Sequence, residues 1–183
     1  MRGHMKTLFA LLAGLLLTAT AHAAADTRCF EMRVYYAAEG KLDALHARFR
    51  DHTCKLFEKH GITNLGYFVP VGENPERKLI YFLAYPSLAA RNAAWKAFMA
   101  DPDWQKAYKV SEVNGKLVAK IESAYLGATD YSPLAKAENV GNRVFELRTY
   151  ITEPGRLPNL NARFRDHTVK LFAKHGMTNV AYW

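Results

Sequence analysis

The chain has 183 residues, of which 50% are hydrophobic, and carries a formal net charge of +8. This length is enough to bury one or two small cores. Because lysines and arginines stand singly among acidic and apolar residues, the charge indicates solubility and argues against the clustered basic groove of a nucleic-acid-binding protein.

The first 23 residues have the layout of a secretory signal peptide. Lys6 precedes the apolar run TLFALLAGLLLTATA, which closes on the small-x-small site AHA at residues 21–23. The run is too short to favour a membrane span, although an uncleaved anchor is the alternative. We therefore expect cleavage after Ala23 or Ala25 and a periplasmic or secreted mature protein without a stable membrane span. Its formal net charge would fall from +8 to +6, because the leader holds two basic residues and no acid.

The first predicted elements after the leader are a strand and a helix. Apolar residues at positions 30, 32, 34 and 36 alternate with a polar set at 31, 33 and 35, which is the period of a strand. Helical spacing follows over residues 41–60, with Phe49 and Leu56 on the apolar stripe. Gly61 can take a positive φ and is predicted to stop the helix.

The same unit continues with two more strands, two short helices and a closing strand. Strands are predicted over residues 63–71 and 78–85, separated by the turn-forming sequence GENPER. Ser87 can cap a helix over 88–99, and Asp101-Pro102 can begin another. A last strand is predicted over 116–126. The order βαββαβ predicts an α+β, ferredoxin-like domain with helices on one side of a mostly antiparallel four-stranded sheet.

A long internal repeat predicts two tandem units. Residues 28–68 align without gaps onto residues 143–183, with an offset of 115 and 24 of 41 positions identical. We assign residues 28–127 to the first unit and residues 143–183 to a second, incomplete copy. Residues 128–142, which are polar and contain Pro and Gly, are predicted to link the two units.

The two cysteines are not expected to form a disulfide, although an exported protein could hold one. Cys54 lies away from the apolar stripe of its helix. The second unit has Val144 and Val169 where the first has Cys29 and Cys54, so neither cysteine is shared by the two units.

The repeated sequence ARFRDHT places Arg, Asp and His side by side, yet the pattern favours a structural role for these residues over a catalytic one. Neighbouring residues of a helix point in different directions, so Arg50, Asp51 and His52 cannot converge on one substrate by themselves. His52 and His60 are eight residues apart, whereas a helical metal-binding pair prefers a spacing of four. No metal site is predicted.

Several motifs resemble the NIPSNAP family. They are FEMRVYY, KLFEKHG and GYF, then LIYFLAYPSLAARNAAW with Tyr85 and Arg91, and then DPDWQ. The resemblance covers residues 29–126 and the front of the second unit. It implies similarity to the dimeric α/β barrels, in which two ferredoxin-like sheets face each other. The expected partner is either a second molecule, giving a homodimer, or the second unit, giving an intramolecular pseudo-dimer through the sheet faces.

The candidate site is a polar stripe on the first strand, repeated in the second unit. It consists of Glu31, Arg33 and Tyr35 and of their counterparts Glu146, Arg148 and Tyr150. If the intervening apolar residues face the helices, the stripe faces the partner sheet inside a barrel. The favoured interpretation is a structural Glu–Arg ion pair. In the alternative, Arg33 binds a small anionic ligand, Tyr35 positions it and Glu31 is a general base.

The sequence contains no cofactor or nucleophile motif of the GxGxxG, P-loop, HExxH or GxSxG type, so no cofactor is predicted. The aromatic residues of the strands and helices are expected to form core. We expect an exported small-ligand-binding or assembly module built on an α/β barrel. The alternative is a cofactor-independent enzyme, of the monooxygenase or isomerase type, with its pocket in the barrel.

Export can be tested on the intact mass of the protein. Because the small-x-small site follows a complete apolar segment, the mature chain should begin at Ala24 or Asp26. Mass spectrometry of the periplasmic or secreted fraction measures this start directly. Retention of Met1 or Met5 at the start of the recovered chain would contradict export.

Overall fold

The computed structural model describes residues 26–138 and 141–183, and the predicted signal peptide lies outside these residues. Its centre is a four-stranded sheet with the order β2-β3-β1-β4, in which all neighbours are antiparallel. The strands are β1 (Cys29–Ala37), β2 (Thr63–Phe68), β3 (Lys78–Tyr85) and β4 (Val118–Gly127). This order confirms the predicted α+β, ferredoxin-like fold.

Helices fill both crossover connections of the sheet. Between β1 and β2 lie α1 (Leu42–Arg48), a π-helical turn (Phe49–Thr53) and α2 (Cys54–Lys59). Between β3 and β4 lie α3 (Leu88–Ala100) and α4 (Pro102–Ser111). Within the described ranges, no helix is long and apolar enough to cross a membrane. Cys29 and Cys54 are both free thiols.

The helix ends are fixed by the residues that the sequence indicates. Gly61 has a φ of 73° and donates its backbone N–H to Glu58 O at 3.0 Å, which closes the end of α2. The Ser87 side chain caps α3 by accepting a hydrogen bond from the Ala90 backbone N–H at 3.1 Å. Asp101 caps α4 in the same way. These local predictions are confirmed.

The π-helical turn changes which residues of the first helical segment reach the core. Regular helical spacing placed Leu56 on the apolar stripe, but Phe57 and Thr53 are the buried residues and Leu56 is only partly buried. A π-helical turn holds an extra residue, so every side chain after it is rotated about the helix axis relative to an unbroken α-helix. Thr53 Oγ1 donates to Arg48 O at 3.1 Å and so satisfies a carbonyl at this turn.

The two faces of the sheet pack against different parts of the chain. The aromatic residues Tyr35, Tyr81 and Tyr85 lie in the main core together with residues of the helices. On the opposite face, Phe30 and Ala84 form a second cluster. The prediction that the polar stripe of β1 faces away from the helices is therefore wrong. Strand alternation shows which residues share a face, but the material packed on that face is decided by the rest of the chain.

The residues that follow the sheet repeat the helical geometry of the first unit. They contain α5 (Leu157–Arg163), a π-helical turn (Phe164–Thr168) and α6 (Val169–Lys174). Each lies 115 residues after its counterpart, and Asn179 Nδ2 donates to Val169 O at 3.0 Å just as Asn64 Nδ2 donates to Cys54 O at 3.0 Å. The described stretches on either side of these helices, 143–150 and 178–183, are not strands.

The rotation caused by the π-helical turn predicts unequal costs for two neighbouring substitutions. Phe57→Ala empties a buried aromatic site in the helix-covered core and should lower the free energy of unfolding by about 3–5 kcal/mol. Leu56→Ala should cost clearly less, because Leu56 is only partly buried. Urea denaturation of both variants measures the difference. Equal costs, or a larger cost at Leu56, would contradict the π-helical register.

Candidate functional site

The carboxylate of Glu31 is the centre of a buried polar cluster between the sheet and α3. Its residue is fully buried. Oε1 accepts hydrogen bonds from Arg33 Nη1 at 2.6 Å and Arg91 Nη2 at 2.9 Å. Oε2 accepts from Arg91 Nε at 3.0 Å and Tyr85 OH at 2.9 Å. Both carboxylate oxygens are thus shared between two guanidinium groups and a phenol, which is the pairing that a buried charge requires.

Sheet register and the start of α3 bring these groups together. Arg33 pairs with Tyr81 across β1 and β3, and its Nε donates to the Tyr81 hydroxyl at 2.9 Å. Arg33 Nη2 also donates to Tyr35 OH at 3.3 Å. Tyr85 ends β3, and Arg91 lies in the first turn of α3, which begins soon after that strand. A short strand-to-helix connection therefore places Arg91 over the end of the sheet.

Trp95 covers the cluster from the side of α3. Its indole N–H donates to Tyr85 OH at 2.7 Å. The guanidinium carbon of Arg33 lies 4.5 Å from the centre of the indole ring, and that of Arg91 lies 5.1 Å from it. One aromatic face thus contacts both cations, an arrangement that stabilises guanidinium groups removed from water.

The electrostatics keep the cluster charged at neutral pH. Burial by itself would raise the pKa of Glu31, but hydrogen bonds from Arg91 and the charge of Arg33 outweigh burial and hold that pKa below its usual range. Burial also opposes the charge of Arg33, yet its neighbours raise the pKa of the guanidinium. Burial raises the pKa of Tyr85, which therefore stays a hydroxyl donor. A carboxylate with a lowered pKa and four donors is poorly suited to removing a proton from a substrate.

The counterpart stripe, Glu146, Arg148 and Tyr150, forms the same ion pair, but there the pair is exposed to solvent. Arg148 Nε lies 2.7 Å from Glu146 Oε1, and Arg148 Nη1 donates to Tyr150 OH at 3.3 Å. The side chains of Arg148 and Glu146 are 53% and 69% exposed. The Glu-x-Arg-x-Tyr spacing therefore makes an internal pair in both stripes, whereas the burial of the first stripe comes from residues outside the repeat.

Sequence reasoning found three members of the cluster and missed the partners that complete it. Those partners are Tyr81, Tyr85, Arg91 and Trp95. All four belong to the motif LIYFLAYPSLAARNAAW, so a signal existed. It did not show that Arg91 meets Glu31, because the two residues are 60 positions apart in the chain.

The repeated Arg-Asp-His sequence is not part of the buried cluster around Glu31. Arg48, just before it, pairs with Glu112 of the α4 end at 3.0 Å and is buried. Asp51 and His52 are exposed on the outer side of the π-helical turn, where they line a groove of about 230 Å³ beside α4. In residues 26–138 and 141–183, no group of three or more His, Cys, Asp or Glu side chains is placed to hold a metal ion.

The fold and the buried cluster define a ferredoxin-like α+β domain with a charged core on its helix side and an apolar face on the other. The sequence model of the NIPSNAP family matches residues 30–133, more than half of the chain, and the chain therefore belongs to the NIPSNAP family. The resemblance seen in the sequence is confirmed.

Solved structures agree with this assignment. The chain is similar to a NIPSNAP family protein from Agrobacterium tumefaciens, with 26% identity, a TM-score of 0.52, and coverage of 58% of this chain and 98% of that one. It is also similar in fold to a NIPSNAP-like domain protein from Burkholderia xenovorans, with 17% identity, a TM-score of 0.52, and coverage of 60% and 92%. No curated protein matches the chain.

The cluster predicts that Glu31 matters more for stability than Arg33. Glu31→Gln removes the negative charge that both guanidinium groups of the cluster share and should cost about 3–5 kcal/mol. Arg33→Met should cost less, because Arg91 and Tyr85 still hold the carboxylate. Adding Glu31→Gln to Arg33→Met should not restore stability fully, since Arg91 then lacks its partner. Urea denaturation measures these costs, and Arg148→Met in the exposed counterpart is the matched control. A cost at Arg33 equal to that at Glu31 would contradict this arrangement.

The same cluster predicts the sign of the pH dependence. Because folding lowers the pKa of Glu31, its contribution is complete above the unfolded value of about 4.3 and is lost as the pH falls through the folded value. The wild type should therefore lose stability on acidification below about pH 4.3 more steeply than Glu31→Gln does. Parallel acid profiles of the two proteins would show that Glu31 is not the titrating group.

Proposed function

We propose that the protein is an exported assembly module of the NIPSNAP family. It acts by pairing one face of its sheet, the face opposite the helices of the first unit, with a protein partner. Small-ligand binding and assembly were the two roles expected from the sequence. The observation that supports assembly is the aromatic surface formed by Phe30, Phe68 and Phe82 on that face. Aromatic rings of residues 143–183 pack against all three.

This face would be unusual as a free surface. The helices of the first unit pack on the opposite side of the sheet, yet Phe30 and Phe82 are buried. Each aromatic side chain removes about 150–250 Å² from water when it is buried. Three adjacent rings would therefore expose an apolar patch as large as the few hundred Å² that typically marks an interaction site. In this chain, the aromatic rings of residues 143–183 lie against the patch and remove part of it from water, as a protein partner would.

The polar cluster gives less support to ligand binding. Both oxygens of Glu31 are occupied by neighbouring side chains, and Arg33 is enclosed by Glu31, Tyr35 and Tyr81. Two arginines and one glutamate leave one positive charge in excess. The side chains of Arg91 and Arg33 are 16% and 10% exposed, so water reaches this excess charge. The excess positive charge of the cluster is therefore solvated and does not require a bound anion.

Native mass spectrometry of the mature protein tests the proposal. An assembly module should appear as the bare polypeptide or a whole multiple of it, because the polar cluster is satisfied by its own side chains. The denatured mass of the same sample is the control for covalent changes. A bound small molecule that is present in the wild type and lost in Arg33→Met would instead support the small-anion site and contradict the proposal.

A further inference from the structure

One side of α4 binds Arg48 of the first helical segment. Trp104, Tyr108 and Glu112 follow one another at intervals of four residues, so they lie along one side of α4 and its end. The guanidinium carbon of Arg48 lies 5.6 Å from the centre of the Trp104 ring and 5.3 Å from that of Tyr108. Arg48 Nη1 donates to Glu112 Oε1 at 3.0 Å. Two aromatic rings and one carboxylate thus surround a single buried arginine.

Two further residues complete the place that α4 occupies. Leu45 is fully buried in the main core, which also contains Trp104. Lys41 Nζ donates to the carbonyl O of Asn114, just beyond α4, at 3.0 Å. Lys41, Leu45 and Arg48 are spaced by four and then three residues, so they share one face of the helical segment. The stripe that receives α4 therefore consists of a cation, a leucine and a second cation.

The second unit repeats this stripe, but in the described part of the chain no helix covers it. The counterparts, at the offset of 115, are Arg156, Leu160 and Arg163. Together with Tyr150 they line a groove of about 400 Å³, which we call the α5 groove. Both arginines are exposed and Leu160 is only partly buried, whereas the corresponding leucine and second cation of the first unit are buried. The arrangement that receives α4 in the first unit is therefore open in the second.

The chemistry of the α5 groove fits a helix that carries aromatic rings and one acid. A guanidinium group forms charge-assisted hydrogen bonds with a carboxylate and also attracts aromatic faces. Leu160 and Tyr150 supply apolar surface beside the two arginines. Glu153 also lines the groove, so a ligand with several negative charges would meet repulsion. Arg156 and Arg163 are seven residues apart, a distance of about 10 Å along α5, which matches two turns of a partner helix.

We propose that the α5 groove is the docking site for an amphipathic helix of a protein partner. The partner helix carries two aromatic residues four positions apart and an acidic residue four positions later, which is the pattern of α4. Arg163 binds the acid and the two rings, as Arg48 does in the first unit. Arg156 binds a carbonyl at the end of the partner helix, as Lys41 does for α4. The groove is separate from the aromatic face of the sheet, so this site goes beyond the proposed function and does not rest on it.

A labelled peptide with the sequence of residues 101–117 tests this site, because it contains α4 together with its capping residues. Fluorescence anisotropy should show saturable binding of the peptide to the full chain. Arg163→Glu should weaken that binding about tenfold or more, since it replaces a charge-assisted contact with repulsion. Glu112→Lys in the peptide should do the same, and the two changes together should restore binding. Lys170→Glu, at an exposed residue of α6 outside the groove, is the matched control and should leave the affinity unchanged.

Several outcomes would overturn the helix-docking site. Absence of saturable binding, or equal affinity of the wild type and Arg163→Glu for the peptide, would do so. An equal loss in Lys170→Glu would also do so, because the attraction would then come from overall charge. Native masses of the wild type and Arg163→Glu test the other occupants: a dimer or a bound small molecule that is lost in the variant would give the groove to a second copy or to a ligand. None of these variants alters the aromatic face of the sheet, so failure of this site is distinguishable from failure of the proposed function.

Discussion

The pairing of Glu31 with Arg33 and Arg91 is the interaction on which the arrangement of the first unit depends. A carboxylate that is fully buried must have partners, and its partners come from β1, from the end of β3 and from the first turn of α3. The requirement therefore fixes where α3 lies over the sheet. It also brings Trp95 onto the two guanidinium groups, because Trp95 lies one turn after Arg91 on the same helix.

This constraint gives the two faces of the sheet different roles. The helix side holds the charged cluster together with the tyrosines of β1 and β3, so its polar groups are used within the first unit. The opposite face is left with Phe30, Phe68 and Phe82, which have no polar atoms and gain stability only from being covered. The charged cluster thus holds the helix side of the sheet together, while the apolar face is in contact with the aromatic rings of residues 143–183.

Comparison of the two polar stripes shows which property comes from the short motif and which comes from the residues around it. Glu146 and Arg148 repeat the ion pair of Glu31 and Arg33, but their side chains are mostly exposed, where such a pair contributes little. The partners that bury the first stripe, Arg91 and Trp95, lie outside the repeated residues. A motif of three residues thus sets the pairing, and a helix 60 residues away in sequence makes that pairing a structural core.

In residues 29–127, the order of the strands and helical segments, and the ends of α2, α3 and α4, were determined by the sequence alone. Strand alternation, the caps at Ser87 and Asp101 and the positive φ of Gly61 act over a few neighbouring residues, so the local pattern is sufficient. The face to which Glu31 and Arg33 point, the burial of Phe57 in place of Leu56 and the meeting of Glu31 with Arg91 were decided by the tertiary structure. Each depends on contacts between distant segments or on the extra residue of a π-helical turn, and the periodicity of a single strand or helix carries no information on either.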